Sequence, residues 1–193
     1  MNDMVKDSVL KDNKALFKKL VPLLLTIAVI AADQITKHLI VQNVPPYTVG
    51  AGFFGDLVRI IHVHNPGVAF SIGVGLSHAV RRVVFAFLPL AVLILILVLY
   101  FRSNDFTLLQ RWGICGIVGG GFGNLIDRFF RAEGVIDFID VKFFGILGYD
   151  RWPTFNVADM SVVICGILLL ISFFTAGAKA KREGAKTEPG EDA

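Results

Sequence analysis

The feature that most constrains this chain is the uncharged run from Val83 to Phe101, VVFAFLPLAVLILILVLYF. A helix that crosses a bilayer needs roughly 20 mostly apolar residues, and this run is long enough to be one. Pro89 is expected to kink it, which neighbouring helices tolerate in lipid. The composition agrees, with 54% hydrophobic and only 18% charged residues, where a soluble domain carries roughly a quarter charged. A formal charge of +3, with no basic residues interleaved with aromatics, gives no reason to expect nucleic acid as a partner.

Three further segments read as spans: Leu20 to about Val41, interrupted by Asp33 and Lys37; about Leu108 to Ile126, rich in glycine; and Phe155 to Ala176, with Asp159 in its first turn. The expectation is therefore an all-α membrane protein built as a four-helix bundle, occupying residues 20–176 with spans near 20–41, 83–101, 108–126 and 155–176. The first span could be a cleaved signal peptide, but Ile30-Ala31-Ala32 is a poor cleavage site and the helical period runs on past it. Residues 1–19 form an N-terminal extension. Residues 177–193 are polar, with Gly and Pro, and read as a disordered tail. The side that holds both termini carries more Lys and Arg than the other, which places the termini in the cytoplasm.

Two segments then lie outside. In residues 43–77 the run Leu57 to His64 alternates with period two, which predicts a small strand-rich element. Residues 127–153 form an outer loop punctuated by Phe129, Phe130, Phe138, Phe143, Phe144, Tyr149 and Trp152. Such aromatics anchor a chain at the membrane interface, and a loop this rich in them could also cover a site.

Ionisable residues at membrane depth are costly and mark sites or pathways. Asp33 and Lys37 are four apart on one helix, acid first, the favourable order for an ion pair. Asn65-Pro66-Gly67 is a turn signature, while the Asn65 amide offers both donor and acceptor to a peptide backbone. Gly119 to Gly123 suits close helix packing, and Asn124, Asp127 and Arg128 follow; Asp127 and Arg128 read as an ion pair. Asp137 and Asp159 lie among apolar residues, and Asn156 shares a helix face with Asp159 behind the helix start at Pro153-Thr154. The helix N-terminus favours an ionised Asp159. If Asp137 folds back against it, the two carboxyls cannot both ionise easily, so one keeps a proton while the other acts as base. Water-mediated peptide hydrolysis needs such a pair.

Other chemistries lack their signatures: there is no HExxH, no GxSxG elbow and no P-loop. Cys115 and Cys165 lie in apolar runs with no CxxC spacing and read as buried thiols. His62 and His64 share a strand face, yet two ligands make a poor metal site, so a surface role is expected. No metal and no organic cofactor are expected.

Five motifs in order, DQITK (33–37), NPGVAFS (65–71), GGGFGNLIDR (119–128), VIDF (135–138) and FNVAD (155–159), make the chain resemble the bacterial lipoprotein signal peptidases from about Leu20 to Phe174. The resemblance implies an aspartic endopeptidase of the inner membrane with a small extracytoplasmic β-cradle and its active site near the outer face. It implies Asp137 and Asp159 as the catalytic pair, with Asp33, Lys37, Asn65, Asn124, Asp127, Arg128 and Asn156 in support. Its substrates would be diacylglyceryl-modified prolipoproteins, cut before the lipidated cysteine, with membrane lipid around it and globomycin-type peptides as inhibitors. The stretch VKFFGILGYDRWPT between the two catalytic motifs is slightly longer than is usual in that family. Two other readings of the acids remain from the residues alone: a proton relay in a transporter, and a non-catalytic binder of lipidated peptides.

Overall fold

The computed structural model describes residues 10, 13, 16–67 and 77–187. Residues 68–71 of the NPGVAFS motif, the rest of the outer segment up to 76, most of the N-terminal extension before 16, and residues 188–193 lie outside the described residues. Four long helices and a three-stranded sheet follow in order: α1 (Leu23–Asn43), β1 (Val49–Phe53), β2 (Val58–Asn65), α2 (His78–Arg102), α3 (Leu108–Phe130), β3 (Val135–Val141) and α4 (Val157–Thr187).

Helix α3 sits at the centre because its small residues admit three neighbours. A Cβ on Gly119 would stand 2.9 Å from Val29 and 3.0 Å from the Thr26 carbonyl oxygen of α1. One on Gly121 would stand 2.7 Å from Leu93 of α2, and one on Gly120 would collide with the Ala158 carbonyl of α4. The glycines thus let backbones approach as small residues do in membrane bundles. A capping box fixes the start of α3: Thr107 accepts the Gln110 N–H, and the Gln110 side chain accepts the Thr107 N–H.

The core is thin. Leu93, Tyr100, Ile114, Cys115, Val118 and Leu125 pack in one buried cluster, with both cysteines free thiols. Outside it, α2 and α4 present unburied Leu, Ile, Val and Phe along their lengths, as a helix facing lipid does. By length and composition, Val83–Arg102 and Val157–Ala176 are apolar enough to cross a membrane. Helices α1 and α3, the other two expected spans, do not reach that measure. Both carry ionisable residues, of which Asp33, Lys37 and Asp127 are fully buried and paired with one another.

The strands form one antiparallel sheet in the order β1-β2-β3. Its third strand comes from within residues 127–153, expected as a loop: α3 continues to Phe130, and the β-branched run VIDFIDV pairs with β2. The alternation seen in Leu57 to His64 was thus half of a larger element. Helix α4 also runs on through residues 177–187, expected as a disordered tail. Ala, Lys, Arg and Glu there are good helix formers, and extending an existing helix avoids the nucleation cost.

Candidate active site

The sheet and the outer ends of the helices meet at a cluster of acids and amides. Its foundation is the Lys37 ammonium, which is fully buried. It lies 2.8 Å from Asp33, 2.8 Å from Asp127 and 2.9 Å from the Asn124 carboxamide oxygen, so all three of its donors are used. Asp33 also accepts the Ala158 N–H at 3.0 Å, tying α1 to the first turn of α4. Asp33 and Lys37 pair as their spacing predicts.

Asp127 and Arg128 do not pair as expected. Adjacent residues on a helix point in different directions. Asp127 instead takes Lys37 and Arg131, the latter at 2.9 Å and one turn on. Arg128 donates to the Phe85 carbonyl at 2.6 Å, and its charge interacts with Asp159 and Asp137. Arg131 was legible from its i,i+4 spacing to Asp127 but was missed. So was Gln34, whose amide donates to the Gly123 carbonyl at 3.0 Å and to Asp127 at 3.3 Å.

Above this base stand Asp137, on β3, and Asp159, in the first turn of α4. Asn156 joins them. Its amide donates to Asp137 at 2.7 Å, while its oxygen accepts the Asp159 N–H at 2.9 Å and the Asp159 carboxylate accepts the Asn156 N–H at 3.1 Å. Helix α4 therefore begins at Asn156 rather than at Pro153-Thr154. Asn124 donates to the other Asp159 oxygen at 2.8 Å and accepts from Asn156 at 3.0 Å. Asn65 donates to the second Asp137 oxygen at 3.0 Å and accepts the Gly67 N–H at 3.0 Å. The Gly67 bond fits the turn expected at Asn65, and the amide meets Asp137 rather than a peptide backbone. In each of the three Asn residues a backbone N–H or Lys37 fixes the carboxamide oxygen, which leaves only the NH2 to face an aspartate.

Asp137 is almost fully buried. Its carboxyl is pushed up to about 7, first by burial and then by the charge of Asp159, with the Asn65 and Asn156 hydrogen bonds pulling it back. Asp159 borders a cavity of about 430 Å³ whose other walls are apolar: Trp152, Phe155, Met160, Val163 and Ile164. A carboxylate thus faces a slot suited to an apolar chain.

A second charged cluster lies along the sheet. Buried Asp140 is held by Arg59 at 2.6 Å and by Arg151 at 2.7 Å. Arg59 and Asp140 stand opposite each other on β2 and β3, a pairing invisible until the register is known. His62, expected at the surface, is buried with Nδ1 2.7 Å from the Val44 carbonyl oxygen, and His64 lies 3.0 Å from Glu133. The bulge between Ile60 and Val63 and the cover of α1 account for that difference.

The family model for signal peptidase (SPase) II matches residues 25–175. The lipoprotein signal peptidase of Treponema denticola is 53% identical over 161 residues, 83% of this chain and 92% of that protein. That of Treponema pallidum is 47% identical over 173 residues, 90% of this chain and 93% of the relative. Two solved structures, each described as a bacterial membrane enzyme, share the fold. One has a TM-score of 0.67 at 30% identity, covering 79% of this chain and 91% of its own. The other has 0.69 at 26% identity, covering 89% and 93%. The acid and amide cluster thus sits in a fold and a sequence of one lineage, and the chain belongs to the signal peptidase II family of membrane proteases.

Proposed function

We propose that this protease removes signal peptides from diacylglyceryl-modified prolipoproteins by an aspartic mechanism in which Asp137 and Asp159 are the catalytic pair. The observation that carries this is Asn156, whose side-chain NH2 donates to the Asp137 carboxyl and whose backbone N–H donates to the Asp159 carboxyl, joining the two in one hydrogen-bonded frame at the mouth of an apolar cleft. A water between the two carboxyls attacks the scissile carbonyl. Asp159, bonded by N–H groups at both oxygens, serves as the base, and Asp137 brings the proton that reaches the peptide. Coupled carboxyls share such a proton, so the roles belong to the pair as a unit. Asp33, Lys37, Asn124, Asp127 and Arg128 hold the frame, and Asn65 orients Asp137.

In this reading all four helices cross the inner membrane, with cytoplasmic termini and the sheet on the outer face. The charges of α1 and α3 turned inward, and the apolar exteriors of α2 and α4, support that placement. The signal helix enters sideways along the slot beside α4 while the diacylglyceryl group stays in the lipid, and globomycin-type peptides inhibit by filling the same cleft. The test is cleavage by the purified chain of a prolipoprotein with and without its diacylglyceryl group, with product masses measured. A cut immediately before the lipidated cysteine is expected; cleavage elsewhere, or equal cleavage without the lipid, contradicts the assignment.

A further inference from the structure

At the end of the sheet opposite Asn65, two loops expose bulky apolar side chains that no described residue covers. The β1–β2 turn carries Phe54, 84% exposed. The hairpin from Lys142 to Arg151 carries Phe144, Ile146 and Leu147, at 68%, 54% and 80%. Phe54, Phe144 and Leu147 have φ of 55°, 56° and 54°, a left-handed conformation that side chains of this bulk rarely adopt. Large apolar residues therefore stand where glycine or asparagine would relax the turn, and all of them point outward.

The two loops act as one surface. The Lys142 N–H bonds the Leu57 carbonyl at 2.8 Å, and Arg151 reaches the Asp56 carbonyl at 3.3 Å. The hairpin stem is closed by Phe143 to Asp150 at 2.7 Å and Gly145 to Tyr149 at 3.0 Å. Lys142 stands with its ammonium 5.6 Å from the Phe144 ring centre. An apolar tip with a lysine at its neck is the pattern of a segment lying at a lipid surface, where the tip meets acyl chains and the ammonium meets phosphates. Directly behind the hairpin, Trp152 shares a cavity wall with Met160, Val163 and Ile164 of α4. The patch is thus continuous with the apolar helix exterior.

We propose that Phe54 and the Phe144–Leu147 tip dip into the headgroup–acyl boundary of the bilayer and anchor the sheet to the lipid surface. The inference rests on the reading of the chain as a membrane enzyme, and its test separates the two. Bimane is attached at L147C, at I164C on the exposed face of α4, or at E133C as a water-facing reference, each on a Cys115→Ser, Cys165→Ala background. The full chain is reconstituted in phosphatidylcholine–phosphatidylglycerol vesicles. At position 147 the expected result is quenching by lipids with a nitroxide near the headgroup, with loss of the iodide quenching seen at 133. Iodide quenching at 147 with lipid quenching at 164 overturns the loop inference and leaves the membrane reading standing. Iodide quenching at both overturns both, and a label at 147 shielded from iodide and lipid alike means that a second copy covers the tip, which also overturns it. L147W in a Trp112→Phe, Trp152→Phe chain, read by brominated-lipid and iodide quenching, gives the same decision without the cysteine background.

Discussion

Asn156 and Asp159 cap one another across the first turn of α4, the Asn156 oxygen taking the Asp159 N–H at 2.9 Å and the Asp159 carboxylate taking the Asn156 N–H at 3.1 Å. This is the reciprocal logic of a capping box, with Asn and Asp in place of the usual hydroxyl and Glu. The same Asn turns its NH2 to Asp137, so one residue both starts a helix and aligns the two acids.

Asn156→Ser separates those tasks. A hydroxyl still caps the helix, but the donor to Asp137 and Asn124 is gone. The melting temperature should stay near that of the parent while cleavage falls by about 10²-fold, the scale of a misplaced reacting group. Asn156→Ala should lose the same activity and about 1 kcal/mol of stability as well. Thermal melts and initial rates on the same preparations check both.

The raised Asp137 carboxyl gives a signed pH dependence. Its folded value of about 7 exceeds the ordinary 3.8, so between those limits the native protein holds a proton that the unfolded chain has released. Stability therefore falls as pH rises through that window, by about 4 kcal/mol in all, and levels off above it. Asp137→Asn removes this decline. Melting temperature against pH for parent and variant measures it, and cleavage by the parent should decline above about pH 7 as the shared proton is lost.

Lys37 bridges Asp33 and one Asp127 oxygen, and all three side chains are fully buried. Lys37→Met leaves buried Asp33 without its cation and Asp127 with Arg131 alone, and should cost about 3–5 kcal/mol. Adding Asp33→Asn to that variant should recover part of the loss, since an amide oxygen still accepts the Ala158 N–H. Melting temperatures of the single and double variants decide it.

Two glycines should answer alanine in opposite ways. At Gly120 a Cβ meets the backbone carbonyl of Ala158, next to Asp159, so Gly120→Ala pushes α4 off α3 and should lower both stability and cleavage. At Gly166 no described atom lies within 4 Å of a Cβ, so Gly166→Ala should be neutral or stabilise by up to about 1 kcal/mol through helix propensity. Melts of the two variants, with cleavage rates for the first, are the check.

Local pattern disclosed the features that depend on near neighbours. The Val83–Phe101 helix, the Asp33–Lys37 pair and the helical face shared by Asn156 and Asp159 are all set within a few residues. What stayed hidden depends on strands meeting across the chain. Val135 to Val141 read as a loop because its partner β2 lies some seventy positions away (Val63 opposite Asp137), and only that pairing sets Asp140 against Arg59. The Asp127–Arg128 pair failed for a local reason, since neighbours on a helix diverge while Arg131, one turn on, converges. The run through residues 177–187 was misjudged by polarity, although its Ala, Lys and Arg content favours helix.

The two-aspartate mechanism is tested by single-turnover cleavage of a diacylglyceryl-modified prolipoprotein by the parent, Asp137→Asn and Asp159→Asn, with substrate binding measured alongside. Each variant should bind substrate and fold like the parent yet lose at least about 10²–10⁴-fold in the cleavage rate. Cleavage near the parental rate in either variant would contradict the two-aspartate mechanism.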